Sequence, residues 1–345
     1  MTSTQDDLEG DAERGAESEL WLAAEPGPAP DALAGRVAYW EGLERAFLAH
    51  APAGLRWGAL PTARPPAPHA RSERWLPLEL LRDEVAYLLE EWFGPALAAL
   101  EVDLATSSLG RARSWLDARA QLPSLGEGRL PSQLLRRCER AETAQALLFE
   151  LFAAPRLGRG LTRHPDSLRT AAALATASGR PLRAWDAGCA SGESTWALAR
   201  ALVEAGAREV EVLGTSPWPL ELLMAERCTF PHDPERSRAF QEAAAAARRG
   251  AGALRVHFAR GDLLQGTPAG SFDLICCHGL LGGAISGASE LRRALAHLAG
   301  ALRAGGVLSI QDTFRDDVQR EVLSCVREAL GWPEPHPGVF LRSEG

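Results

Sequence analysis

The sequence contains no lysine; all 37 of its basic residues are arginine. Pyridoxal phosphate in its usual form needs a lysine amine for its Schiff base, so that chemistry is excluded. A P-loop nucleoside triphosphatase needs its lysine too and is excluded on the same ground. Tyrosine is nearly absent: Tyr39 and Tyr87 are the only two, and a place at the core or rim of the helical half suits both better than catalysis. No apolar run reaches the roughly 18 residues that cross a bilayer, so no membrane segment is expected. The six cysteines (Cys138, Cys189, Cys228, Cys276, Cys277, Cys325) include no CxxC pair, and the eight histidines lack metal-ligand spacing. Cys276, Cys277 and His278 adjoin on a predicted strand, where successive side chains point to opposite faces and cannot converge on one ion. The chain opens on an acidic, polar stretch (MTSTQDDLEGDAERGAESE), the opposite of a secretory signal. These features lead us to expect a cytoplasmic protein with reduced thiols.

What is present suits a globular protein of two domains: 345 residues, 46% apolar and 24% charged. The net charge of −8 argues against a nucleic-acid partner, which needs a basic face to release counterions. Residues 1–18 read as a disordered acidic tail. From 19 to 178 the pattern is helical. Leu33, Val37, Trp40, Leu43 and Phe47 form one apolar stripe, and Leu78, Leu81, Val85, Leu88, Leu89 and Trp92 form a second. A proline-rich loop (60–73) separates them, and Gly94-Pro95 is expected to end the second helix. Further helices fit 108–121, 131–153 and 163–179. From 179 to 345 strands alternate with helices. Strands are expected at 182–188, 209–216, 254–264, 272–279 and 307–312, with helices at 192–207, 219–228, 236–250 and 291–306. That alternation predicts an α/β, doubly wound, mostly parallel sheet.

The most informative stretch is Asp186-Ala187-Gly188-Cys189-Ala190-Ser191-Gly192-Glu193, between a predicted strand and a predicted helix. Ligands bind there, at the carboxyl edge of such sheets. Gly188 permits a tight turn, and the small residues after it let backbone approach a ligand. The spacing is acidic-x-Gly-x-x-x-Gly, not the GxGxxG of dinucleotide sites, and matches the methyltransferase form. Gly261-Asp262-Leu263 ends a later strand, a place suited to an acid facing the adenine amino group with an apolar neighbour beside the ring. FDLICCHG and LRAGGVLSI follow in the order that a Rossmann-like class I methyltransferase fold requires.

On these blocks the chain resembles the chemotaxis-receptor glutamate methyltransferases over about residues 150–315. The resemblance is carried by WDAGCASGESTWALA (185–199), GTSPWPLELLMAERCTFP (214–231), FDLICCHGLLGGA (272–284) and the segment Arg163-His164-Pro165. It implies S-adenosylmethionine as cofactor and S-adenosylhomocysteine as product. It also implies cofactor-holding positions at Ala187, Glu193, Asp262 and Leu263, with Arg163 at the entry segment and Asp186, Gly188, Cys189 and Ala190 forming the turn. Glu193 would suit the positive methionine end, although acids also favour a helix's first turn for its dipole alone.

The sequence departs from the family on the acceptor side and at the ribose. The acid that ends the second strand is replaced by Ser216, which offers one neutral hydrogen bond where a carboxylate offers charged ones, a loss of about 1–3 kcal/mol. An Arg-Asn pair is replaced by His278-Gly279, and the tyrosine at the transfer site by Gly283. His278 is the one candidate base near the methyl position. The helical half is much longer than the family's, and is a candidate lid or homodimerisation domain. The expected function is methyl transfer to a small-molecule substrate, in specialised metabolism. Two alternatives stay open: intramolecular cyclisation of the cofactor's aminobutyrate chain with release of methylthioadenosine, and a non-catalytic binding descendant.

Overall fold

The computed structural model describes residues 20–51, 74–122, 130–152, 165–177, 179–250, 252–311 and 316–343. The acidic tail, the proline-rich loop and Arg163 lie outside the described residues. The chain divides into two compact units, Met1–Pro155 and Arg156–Gly345. Among the described residues no helix is long and apolar enough to cross a membrane, and no three His, Cys, Asp or Glu side chains are grouped to hold a metal.

In the first unit, α1 (Pro30–His50) buries Leu33, Val37, Trp40 and Phe47, the stripe that predicted it. The second helix, α2 (Leu78–Ala99), does not end at Gly94-Pro95 but runs through it. Proline inside a helix costs about 3 kcal/mol. Burial of Phe93 and Leu97 on either side offsets that, at about 1.5–3 kcal/mol each. The helix expected over 108–121 is two short ones, α3 (Ser108–Arg111) and α4 (Trp115–Gln121), because Ser114 caps the second by accepting the Asp117 N–H at 3.2 Å. The helix expected over 131–153 likewise divides into α5 (Pro131–Arg136) and α6 (Ala141–Phe152). Buried Glu44 of α1 fastens α5, accepting from the Ser132 N–H (2.6 Å) and hydroxyl (2.8 Å). Tyr39 and Tyr87 are both exposed, at the rim and not in the core.

The second unit opens with α7 (Pro165–Thr176), which follows the sequence in starting at a proline. Then come β1 (Leu182–Ala187), α8 (Glu193–Glu204), β2 (Glu209–Ser216), α9 (Pro219–Arg227), α10 (Pro234–Gly250), β3 (Ala253–Arg260) and β4 (Phe272–His278). The unit closes with α11 (Ala288–Ala301), β5 (Leu302–Gln311), α12 (Asp316–Leu330) and β6 (Val339–Leu341). The last helix and strand were not anticipated from the sequence. The sheet order is β3-β2-β1-β4-β5-β6; the first five strands are parallel and β6 is antiparallel to β5. This is a doubly wound, Rossmann-like sheet whose order reverses between β1 and β4.

The unit boundary differs from the expected 178. Helix α7 packs on α8, β4 and β5. Its Ser167 hydroxyl accepts from the Gln311 amide at 2.9 Å, at the end of β5. Helical pattern lies on both sides of 155, and periodicity alone does not reveal which core a helix joins.

Along β1 the side chains alternate between two buried faces. Trp185 and Ala187 join Ile275, Cys277, Leu308 and Ile310 under Leu295 and Leu298 of α11 and Val322 and Val326 of α12. Ala184 and Asp186 point to the opposite face, where α8 packs on β1 and β2. At the amino edge of the sheet, buried Asp273 accepts the Arg183 N–H and pairs with Arg180 and Arg303, which ties the strand starts together.

Candidate functional site

Three strand ends are joined at the carboxyl edge. The Thr215 carbonyl at the end of β2 accepts both the Gly188 N–H (3.1 Å) and the Cys189 N–H (2.8 Å), and the Ser216 carbonyl accepts the Gly261 N–H (3.1 Å). The turn after β1, the end of β2 and the Gly261-Asp262 segment after β3 therefore share one ledge, beside the switch point.

The turn between β1 and α8 is unusual in its backbone. Gly188, Ala190 and Gly192 all have positive φ, at +93°, +44° and +85°. For alanine the left-handed region costs roughly 1–2 kcal/mol. A Cβ at Gly188 would lie 3.1 Å from Leu280, and one at Gly192 would lie 2.5 Å from the Ala225 Cβ. The N–H groups of Ala190, Ser191 and Glu193 have no acceptor among the described residues. Unclaimed donors in a turn of alternating hand, ahead of a 12-residue helix, make a concavity suited to an anionic or carboxylate group.

Asp186 lies under this turn and is buried. It accepts hydroxyl hydrogen bonds from Ser194 and Thr195, both at 2.7 Å. Burial holds its carboxyl above the usual range, and the two hydroxyls offset only part of that rise. It fastens the first turn of α8 to β1. Glu193 is committed elsewhere: Arg236 of α10 grips it with Nε at 3.1 Å and Nη2 at 2.6 Å, and the same guanidinium lies over the Phe230 ring at 3.7 Å. A carboxylate already neutralised by a bidentate arginine is poorly suited to a cationic ligand.

Ser216, buried at the end of β2, has its hydroxyl in use. It donates to Glu221 Oε2 at 2.6 Å and accepts the Trp218 N–H at 3.2 Å. Glu221 stands in the first turn of α9, and burial raises its carboxyl above the usual range. Sequence reasoning missed it; the available signal was an acid in the first turn of the helix that follows this strand.

Asp262 closes its own turn, accepting from the Leu264 N–H (2.9 Å) and the Gln265 amide (3.2 Å). Its neighbour Leu263 is buried in the core with Trp185 and Ala187, and its carbonyl meets His297 Nδ1 at 2.6 Å. Cys189 is buried, and burial pushes its thiol well up, with the Asp186 and Glu221 charges adding to the shift. His278 ends β4, its Nε2 2.9 Å from the buried Ser309 hydroxyl. After it the chain folds into a tight glycine turn, with Gly279 and Gly282 at positive φ and Leu281 paired with Ile285. Gly283 sits in this turn, its N–H donating to the Leu280 carbonyl at 3.4 Å.

The fold and ledge define a Rossmann-like domain with a candidate ligand site at the β1 turn. Neither a family model nor a curated protein matches the sequence. Solved structures do match part of it. The N-methyltransferase NodS from Bradyrhizobium japonicum WM9 is 21% identical over 53% of this chain and 95% of that one, with a TM-score of 0.34. Magnesium protoporphyrin IX methyltransferase from Synechocystis PCC 6803 with bound SAH is 21% identical over 52% of this chain and 68% of that one, TM-score 0.30. The sugar N-methyltransferase KedS8 from Streptoalloteichus is 23% identical over 46% and 52%, TM-score 0.29.

Proposed function

We propose that the second unit binds S-adenosylmethionine at the turn between β1 and α8 and transfers its methyl group to a small-molecule acceptor, leaving S-adenosylhomocysteine. The observation that carries this reading is the turn itself: three positive φ values and unclaimed N–H donors at the switch point. A cofactor with a carboxylate at one end and a nucleoside at the other fits a ledge that joins this turn to the ends of β2 and β3. Bound there, S-adenosylmethionine supplies an electrophilic methyl on a sulfonium, which needs orientation more than acid or base assistance.

The chain's own residues supply that orientation. The backbone from Gly188 to Glu193 receives the amino-acid end, and Asp186 holds the turn in shape. Asp262 faces the adenine side with what acceptor capacity its turn leaves. His278, at the end of β4, takes the proton from a hydroxyl or amine acceptor. The likeness to chemotaxis-receptor methyltransferases rests on the sequence blocks alone. The glycine turn at 279–283, without an arginine, asparagine or tyrosine, supports a small molecule over a receptor side chain.

Titration calorimetry of the full chain with S-adenosylmethionine and S-adenosylhomocysteine tests the binding. Mass spectrometry of the cofactor after incubation with a panel of small amines and alcohols tests the transfer. We expect micromolar binding of both, and S-adenosylhomocysteine formed only when an acceptor is present. Binding of neither ligand sinks the reading. Methylthioadenosine released without an acceptor would replace it with an intramolecular use of the cofactor.

A further inference from the structure

The end of β2 lacks an acid in sequence but not in space. Glu221, five residues beyond Ser216, comes round the first turn of α9 and brings its carboxylate to the strand end, Oε2 receiving the Ser216 hydroxyl at 2.6 Å. The carboxylate has no ion-pair partner among the described residues, and Ser216 is its one hydrogen-bond donor there. The charge also bears on Cys189 of the glycine turn, so the carboxylate lies close to that turn. A carboxylate so placed, short of donors and without a cation, is costly unless something else donates to it.

We propose that Glu221 is the ribose-binding residue of this site, its free acceptor sites taking the vicinal 2′- and 3′-hydroxyls of the nucleoside while Ser216 holds the carboxylate in position. This rests on the reading of the site given above and adds the residue that recognises the sugar. Two adjacent hydroxyls match the two oxygens of one carboxylate, and charge-assisted hydrogen bonds are the stronger kind. Ser216, which the sequence offered as a weak substitute for the acid, becomes a positioning residue. It places the acid and does not touch the ligand.

The test is calorimetry on the full chain with two probes, S-adenosylhomocysteine and its 2′,3′-dideoxy analogue. The wild type should prefer the hydroxylated probe by about tenfold or more. Glu221→Gln, which keeps size and an acceptor for Ser216, should weaken S-adenosylhomocysteine about tenfold to a hundredfold and leave the analogue nearly unchanged, so that the preference collapses. Ser216→Asp combined with Glu221→Ala returns an acid to the strand and should restore the preference. A melting curve for each variant shows that it is folded. If Glu221→Gln binds S-adenosylhomocysteine like the wild type, or weakens both probes equally, the assignment of Glu221 is wrong and the site reading stands. If the wild type binds neither probe, both fall together.

Discussion

At the scale of single residues, two carboxylates differ in what surrounds them. Glu193 is buried against a bidentate arginine; Glu221 is held by one hydroxyl. Removing Glu193 leaves the Arg236 charge largely buried and unpaired. Glu193→Ala should therefore cost about 3 kcal/mol of stability by urea unfolding, with S-adenosylhomocysteine affinity of the folded protein little changed. Glu221 behaves in the opposite way. Its carboxyl is raised by burial, so the folded chain holds that proton more tightly than the unfolded chain does. The contribution is full below the unfolded value near about pH 4 and is lost as pH rises through the folded value. At neutral pH the wild type carries the cost of a buried charge that Glu221→Gln lacks. That variant should melt higher than the wild type at pH 7, and the gap should narrow toward pH 4. Gaining stability while losing affinity is the mark of a residue kept for its ligand.

Among elements, the helices around the site are spaced by glycines and small residues. Gly192→Ala combines a φ of +85° with a Cβ 2.5 Å from that of Ala225. Overpacking of this kind costs about 1–3 kcal/mol, and urea unfolding of the variant should show it. Gln311, at the end of β5, gathers three elements. Its amide donates to the Ser167 hydroxyl of α7 and to the Pro337 carbonyl before β6, and its carbonyl accepts from Gln319 of α12. Gln311→Ala leaves these groups without partners and should cost about 2–3 kcal/mol. Hydrogen exchange should show the loosening concentrated in α7, α12 and β6. None of this was legible beforehand. Strand alternation, the glycine turn and the helix starts at Pro165 and Pro219 are local signals, and they located the elements. The Arg236 partner of Glu193 lies 43 residues away and the Ser167 partner of Gln311 lies 144 away, beyond any periodicity. Glu221 escaped notice because strand-end acids are sought on the strand, and this one arrives round a helical turn. The acids and glycines of the turn after β1 were legible by position, but the partner each acid takes was not.

For the molecule as a whole, the division at Pro155 and Arg156 makes a prediction about folding units. A fragment starting at Arg156 retains α7 on its sheet and should unfold cooperatively. One starting at 179, the boundary that helical periodicity suggested, loses α7. It uncovers the faces against which Ala171 and Ala172 are buried, and leaves the Gln311 amide short of its Ser167 partner. The shorter fragment should show a broadened, lower melt and bind a hydrophobic dye, and equal melting of the two would contradict the grouping.

The contact between Gly192 and Ala225 also bears on how fast a ligand comes and goes. With no room for a methyl group between them, α8 and α9 cannot slide past one another there without separating. The glycine turn on one helix and Glu221 on the other are thus presented together before any ligand arrives. Arrival should then be governed by diffusion into a ready-made ledge, and losses at Glu221 should surface as shorter residence, with association rates nearly unchanged between the wild type and its variants.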